Sequence, residues 1–538
     1  MRSDRRTALA GLAGGIALLA TGGCANVATT APAAAFIRRD GIRLVRGADP
    51  YRVAGANMWY AAWLGADAPY GDRARLGREL DRLQALGLNN LRIMAAAEEG
   101  PLKNSIKPGF SRPDGSLNAE LLAGLDFAMA EIARRGMTAV VCLGNFWEWS
   151  GGFGTWLYRV TGRYMDMGDP AHPWPAYPDA TSAFYGNAEA VALYHGHVRS
   201  IVTRTNSITG RRYIDDPAVM CWQLANEPRP GGSEAVIARH RDAYMQWIDD
   251  TAELIRTLDS NHMVSLGHEG TQGANGSEDI VRRAHLNIDY LTAHIWPLNW
   301  GWVDGKDLPG TWPAGRAKVA DYLAAHERLA NEFGKPLLIE EFGFPRDEEV
   351  YAPGTPTTFR EQYYAMIYDA VEKSWRSGGP VMGSNFWAWN GEARAAHPDF
   401  RFKDGDRAYM GDPPHEPQGW YGLFDSDASM LELVREHAAK KCIGLTLPCA
   451  ARRLHPDSPL APCGRGRSAG GAEGEGSAAK RRLRRRPLSL TLSRKGRGNP
   501  GHDSPHLSRL GSRTPPRDRR LPRRPAPPRR GRAPPDAA

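Results

Sequence analysis

Two glutamates stand where apolar runs end. Glu227 follows Trp222-Gln223-Leu224-Ala225-Asn226 and precedes Pro228, and Glu341 follows Leu338-Ile339-Glu340 and precedes Phe342-Gly343. A carboxyl group set directly after a run destined for burial is costly to desolvate without a purpose. Taken singly, each could cap a helix or pair with an arginine. Together they can do paired chemistry, because cleaving a glycosidic bond takes one carboxylic acid to protonate the leaving oxygen and one carboxylate to attack or stabilise the anomeric carbon. Side chains alternate along a strand, so Glu340 and Glu341 are expected on opposite faces.

For residues so far apart in sequence to share a cleft, the fold must gather strand ends. Eight short β-type runs, most ending in a polar or functional residue, lie between residues 52 and 390: Val53–Asn57, Asn90–Met94, Thr138–Asn145, Val219–Asn226, Met263–His268, Tyr290–Trp296, Pro336–Phe342 and Val381–Trp387. Between them Leu76–Leu86, Leu121–Arg135, Arg239–Leu258 and Phe359–Ser377 carry apolar residues at three and four spacing, as amphipathic helices do. Eight such alternations predict an α/β fold, a (β/α)8 TIM barrel with insertions in its strand-end loops, of which Trp147 to Ala218 is the longest. A doubly wound open sheet would rarely need eight strands.

In a barrel the C-terminal strand ends carry the active site. Glu227 then closes strand four and Glu341 strand seven, with Arg92 at the end of strand two, Asn226 beside the first glutamate, His294 and Trp296 on strand six and Trp387 on strand eight. An Arg or His beside a carboxylate keeps it ionised, and an aromatic neighbour tends to hold one neutral, so one site could contain a charged nucleophile and a protonated acid. The chain has 16 Trp. Flat aromatic faces suit the C–H faces of pyranose rings, and among the loop tryptophans Trp59 and Trp147, next to strand ends one and three, are expected to meet the sugar.

These residues resemble glycoside hydrolase family 5, and within it the endo-β-1,4-mannanase subfamily, from about Phe36 to His437. The most specific stretch is Asp216-Pro217-Ala218-Val219-Met220-Cys221-Trp222-Gln223-Leu224-Ala225-Asn226-Glu227-Pro228-Arg229, supported by Asn145-Phe146-Trp147 and Pro297-Leu298-Asn299-Trp300. The resemblance implies that Glu227 is the acid/base. It implies that Glu341, directly before the aromatic-Gly pair, is the nucleophile, and that Arg92, Asn226, His294 and Trp387 surround the sugar at the −1 subsite. The activity so implied is retaining endo-hydrolysis of β-1,4-mannosidic linkages in mannan, glucomannan or galactomannan, by a monomer with no metal or cofactor. One position departs: the family has Tyr two residues after the His, hydrogen-bonded to the nucleophile, and this chain has Trp296, whose indole N–H can donate but cannot ionise or accept. A β-1,4-glucanase is the alternative, since fold does not decide the sugar; a non-catalytic carbohydrate-binding protein fits less well with both glutamates in place.

The two ends of the chain differ from its middle. The formal net charge is +9, yet residues 451–538 hold 23 Lys and Arg against 6 Asp and Glu, leaving 46 basic against 54 acidic residues before them, a balance of −8. The acidic part argues against nucleic acid as a partner. Residues 450–538, rich in Arg, Pro, Gly and Ser, are expected to be a disordered low-complexity tail. Residues 1–30, with Arg2, Arg5 and Arg6 before an apolar run from Thr7 to Ala20, have the layout of an export signal. Arg5-Arg6 admits the twin-arginine route, and Gly22-Gly23-Cys24 makes Cys24 a candidate lipid anchor; secreted, periplasmic and membrane-anchored destinations all follow from export. The catalytic domain is expected over 36–445. Cys142 and Cys221 are expected to be small buried hydrophobes, and Cys442 is close enough to Cys449 to pair with it.

Overall fold

Eight short runs form strands close to the expected places, each buried from end to end: Val53–Asn57 (β1), Asn90–Met94 (β2), Thr138–Cys142 (β3), Val219–Gln223 (β4), Met263–Ser265 (β5), Leu291–Ile295 (β6), Leu337–Phe342 (β7) and Val381–Phe386 (β8). The computed structural model describes residues 35–442, so the expected export segment, Cys24, Cys449 and the basic tail lie outside the described residues. Paired strands run parallel in the order β5-β4-β3-β2-β1-β8-β7-β6, and β1 pairs with both β2 and β8. The sheet is therefore curled into a (β/α)8 barrel with one seam, between β5 and β6.

That seam has a local cause. After only three residues of β5 the chain turns at Gly267, with φ +78°, where a Cβ would lie 2.0 Å from the Ala225 carbonyl oxygen. Only glycine allows this approach to the end of β4. Instead of a ladder, the seam is held by the Asp289 N–H on the Val264 carbonyl at 2.9 Å, the His294 N–H on the Glu269 carbonyl at 3.0 Å, and the Thr292 hydroxyl on the His268 carbonyl at 2.7 Å.

Helices Arg73–Ala85, Ala119–Arg134, Glu234–Leu258 and Thr358–Ser377 match the four amphipathic stretches. Leu308–Phe333 is a further helix, with Pro309, Gly310, Pro313 and Gly315 in its first turns. Pro309 falls in the first turn, where a missing N–H costs little, Pro313 lies inside the helix and gives up one backbone bond, and Asp307 caps the helix by accepting from the Gly310 N–H at 3.0 Å. At the N-terminal end of the barrel, an antiparallel meander of Ile37–Asp40, Arg43–Arg46 and Asp49–Pro50 brings Ile37 and Leu44 against Val140, Met220, Leu338 and Met382. Cys142 and Cys221 are buried free thiols, and Cys442 is disulfide-bonded.

Two long segments cover the opposite end. The expected insertion after β3 contains helices Gly152–Thr161 and Ala176–Thr181 before the barrel helix Ala188–Val202. A second, from Trp387 to Asp427, lacks hydrophobic periodicity and was not foreseen. It is shaped around Asp412, whose buried carboxylate accepts from the N–H groups of Gly419 at 2.8 Å, Tyr421 at 2.7 Å and Gly422 at 3.1 Å.

The Gly267 carbonyl also accepts the Glu227 N–H at 2.9 Å. Gly267→Ala adds a side chain at positive φ into a backbone oxygen, and about 1–3 kcal/mol of stability should be lost. A urea titration reads this, and an unchanged midpoint would mean that the β4–β5 contact is loose enough to give way.

Candidate active site

Arg92 projects from β2 into the barrel mouth, where it is almost wholly buried. Its Nε donates to Gln223 Oε1 at 2.7 Å, its Nη2 to Asn226 Oδ1 at 2.7 Å, and its Nη1 to Asn57 Oδ1 at 3.1 Å and to Glu341 Oε1. Glu340 Oε2 lies 3.7 Å from Nε. The expectation that Glu340 and Glu341 face opposite ways is corrected here. The register of β7 against β6 shifts between Ile339 and Glu341, and this β-bulge turns both carboxyls toward Arg92. Glu340 sits deeper, accepting from Gln223 Nε2 at 2.6 Å and from the Tyr290 hydroxyl at 3.0 Å.

Glu227 occupies the left-handed region with φ 50°, a conformation that costs an L-residue about 1–2 kcal/mol. Its Oε2 accepts from Trp147 Nε1 at 2.6 Å, and its Oε1 lies 2.6 Å from His294 Nδ1 and 3.3 Å from the indole nitrogen of Trp296. His294 Nδ1 is also 3.3 Å from Glu341 Oε2. The Trp296 indole donor is thus aimed at Glu227, and Glu341 is held by Arg92 and His294 instead. Ligating atoms of Glu227, His294 and Glu341 lie within 4.8 Å of one another. A metal ion collected there would have to displace the proton that His294 holds.

Burial opposes every charge in this cluster. It would strip the proton from His294, but the Glu341 and Glu227 carboxyls outweigh it and carry the imidazole up to about 10. Burial raises Glu341 to about 7 against the pull of His294 and Arg92. Burial also pushes Glu227 upward, yet the bond and charge of His294, with Arg229 and Trp147, leave it below the ordinary carboxylate range. The two carboxyls titrate as a pair through the imidazolium between them.

Above this floor opens a cavity of about 510 Å³, lined on its aromatic side by Trp147, Trp149, Trp174, Trp296, Trp300 and Trp387. Asn226, Glu227 and Glu341 reach it, whereas Arg92 and His294 support them from beneath. Trp59 does not line it, contrary to expectation. It is 3% exposed, packs edge-on against Trp149 and donates to the Gly411 carbonyl at 2.9 Å, so Trp149 takes the cavity-facing place.

Four further lining residues had no sequence signal or only part of one. Arg229, inside the strand-four motif, makes a two-pronged pair with Glu269 at 2.6 Å on each arm. Burial raises the Glu269 carboxyl to about 7, although Arg229 opposes it. His415 and Glu416 arrive on the unforeseen loop after β8. Burial drives His415 down to about 4, which leaves it neutral at pH 7, and burial together with the neighbouring Asp412, Glu341 and Glu227 pushes the Glu416 carboxyl upward.

Residues 34–443 match the model of a family described as GH family 5 beta-mannosidase-like. The chain belongs to this family. A family 5 mannosidase from Rhizomucor miehei has 33% identity and a TM-score of 0.68, over 76% of this chain and 97% of that one. A variant of that mannosidase was solved in complex with mannosyl-fructose. Among curated relatives, mannan endo-1,4-beta-mannosidase 1 of Arabidopsis thaliana is 28% identical over 65% of this chain and 81% of its own. The putative mannan endo-1,4-beta-mannosidase 9 of Oryza sativa subsp. japonica is 28% identical over 69% and 84%. The chain is accordingly a glycoside hydrolase.

In this enzyme Arg92 is the cation on which the buried carboxyls depend. Removing one partner from a buried charge cluster costs about 3–5 kcal/mol. Arg92→Met should lose about that much in urea unfolding, and a loss below about 1 kcal/mol would show that the cluster is compensated by other means.

Proposed function

We propose that this hydrolase cleaves β-1,4-mannosidic linkages with retention, Glu227 acting as acid/base and Glu341 as nucleophile. The observation that carries the reading is the pair of carboxyls at the ends of β4 and β7, with oxygens within 4.8 Å of each other. Retaining enzymes set their carboxyls about 5–5.5 Å apart, while inverting ones leave about 6.5–9.5 Å for a water molecule. The mannan part rests on the names of the curated relatives and of the solved mannosidase.

On this reading Glu341 attacks the anomeric carbon while Glu227 protonates the departing oxygen; Glu227 then takes a proton from water as the glycosyl–enzyme is hydrolysed. The resting cluster keeps its proton on His294, 2.6 Å from Glu227 Oε1. Transfer across that contact makes Glu227 the acid without changing the net charge of the cluster. Arg92 holds Glu341 Oε1, leaving Oε2 free to turn from His294 to the sugar.

The roles separate with an activated aryl β-mannoside. Glu227→Ala should still form the glycosyl–enzyme and stall, and azide should release it as the β-glycosyl azide, because a good leaving group needs little acid and azide needs no base. Glu341→Ala should form no such intermediate, and azide entering the vacated face should give the α-azide. NMR of the azide products decides, and the opposite pattern would exchange the roles.

A second reading, attack on chain ends, draws support from the beta-mannosidase-like family description and the 33% identical mannosidase. Early products from mannohexaose distinguish the two. Endo attack should release mannobiose and mannotriose from the start, and mannose with mannopentaose as the first products would establish exo attack.

A further inference from the structure

Among the described residues five large apolar side chains are exposed, and the most exposed is Trp174, at 61%. It alone of the five borders the catalytic cavity. An indole left largely in water at the rim of a saccharide cleft offers apolar surface to whatever enters.

Its position follows from its neighbours. Trp147, which donates to Glu227, lies next to Trp174 with ring centroids 6.3 Å apart and planes tilted by 30°. The Arg229 guanidinium carbon is 5.1 Å from the Trp147 ring centre and 5.5 Å from that of Trp174, and Glu269 fixes it from behind. Moving outward from Glu227, the wall runs Trp147 and then Trp174. Glu227 faces the leaving group, so this wall follows the leaving-group side of the cleft.

The ring is exposed but its backbone is firmly seated. Pro175 and Pro178 close on Gly232, where a Cβ would lie 2.6 and 2.7 Å from them. Asp179 accepts from the N–H groups of Gly232 and Ser233, both at 2.8 Å, and from the Ser233 hydroxyl at 2.7 Å. On the other side of Trp174 the same insertion is tied down where the Met167 N–H donates to Glu148 Oε2 at 2.6 Å. With the backbone so held, the ordering left to be lost on binding is that of the ring itself.

We propose that Trp174 is the stacking platform of a leaving-group subsite, taking a hexopyranose unit of a β-linked oligosaccharide beyond the first leaving-group sugar. This rests on Glu227 being the acid/base. The chemistry of bond cleavage does not require the platform; substrates long enough to reach it gain binding from the ring face.

The test compares leaving groups of different length. With an aryl β-mannoside, whose leaving group ends at the first position, Trp174→Ala should keep kcat/KM within about twofold of the parent, while with mannopentaose kcat/KM should fall about tenfold, mainly through KM. Trp174→Phe should restore most of that loss. Equal losses on both substrates would make Trp174 a support for the cleft, and no loss on mannopentaose would leave the ring without this role; either overturns the proposal. If the parent enzyme turns over neither substrate, the assignment of the two glutamates fails separately. Calorimetric binding of mannopentaose to Glu341→Ala, with and without Trp174→Ala, then still reads the platform: about tenfold weaker binding is expected, and equal binding overturns it.

Discussion

A guanidinium in a nearly dry barrel mouth must be paired or the fold cannot hold it. Arg92 satisfies this through four acceptors on three strands: Asn57 from β1, Gln223 from β4 with Asn226 just beyond its end, and Glu341 from β7. The planar fork matters, because a lysine ammonium has only three donors and none of the fixed directions that reach acceptors on opposite sides of the barrel. The interaction that closes the mouth is therefore the one that orients Glu341. Residues that look like neutral scaffolding, Asn57 and Gln223, are part of the charge balance. Gln223 accepts from Arg92 with its oxygen and donates to Glu340 with its nitrogen, which fixes its amide orientation.

Around this centre, three departures from regular barrel geometry lie where a functional group is delivered. The bulge in β7 aims consecutive carboxyls at one arginine. Glu227 is held at φ 50° by backbone bonds from the neighbouring loops. The early turn at Gly267 opens the seam beside β6, which presents His294. Strand geometry alone would place alternate side chains inward at about 6.5–7 Å spacing along one strand. Bringing Glu227, His294 and Glu341 to mutual contact takes departures from that geometry, and strain is tolerated where the surrounding contacts over-determine it.

The strands and the two glutamates were legible because buried parallel strands read as short apolar runs, and a carboxyl at the end of such a run stands out. Arg92, Asn226, His294, Trp296 and Trp387 were legible as strand-end positions, although sequence could not say that Trp296 would turn to Glu227. Trp59 and Trp149 both lie near strand ends, and only packing decides which ring faces the cavity. The bulge at Glu340 was invisible because the groups that receive its carboxyl, Gln223 and Tyr290, lie on other strands. The loop carrying His415 and Glu416 was invisible for another reason: its shape comes from three backbone N–H groups converging on Asp412, which leaves no period in the sequence.

The cleft also divides by charge, and the division matches a neutral polymer. Charge is concentrated on the floor, where Arg92 and His294 meet the carboxyls of Glu227, Glu340 and Glu341. The walls are mainly aromatic, with His415 lowered by burial to about 4 and the Glu416 carboxyl pushed upward by burial, away from its charged form. The charged exception, Arg229 with Glu269, is a closed pair. A saccharide brings no charge to such walls, so ionic wall groups would have to be desolvated with nothing gained. Rings and neutral hydrogen-bonding groups lose less on meeting it. The floor comes from strand ends that the barrel fixes, and the walls come from the insertions after β3 and β8. Changes in the walls can therefore alter which sugar chains are held without disturbing the proton and charge balance beneath them.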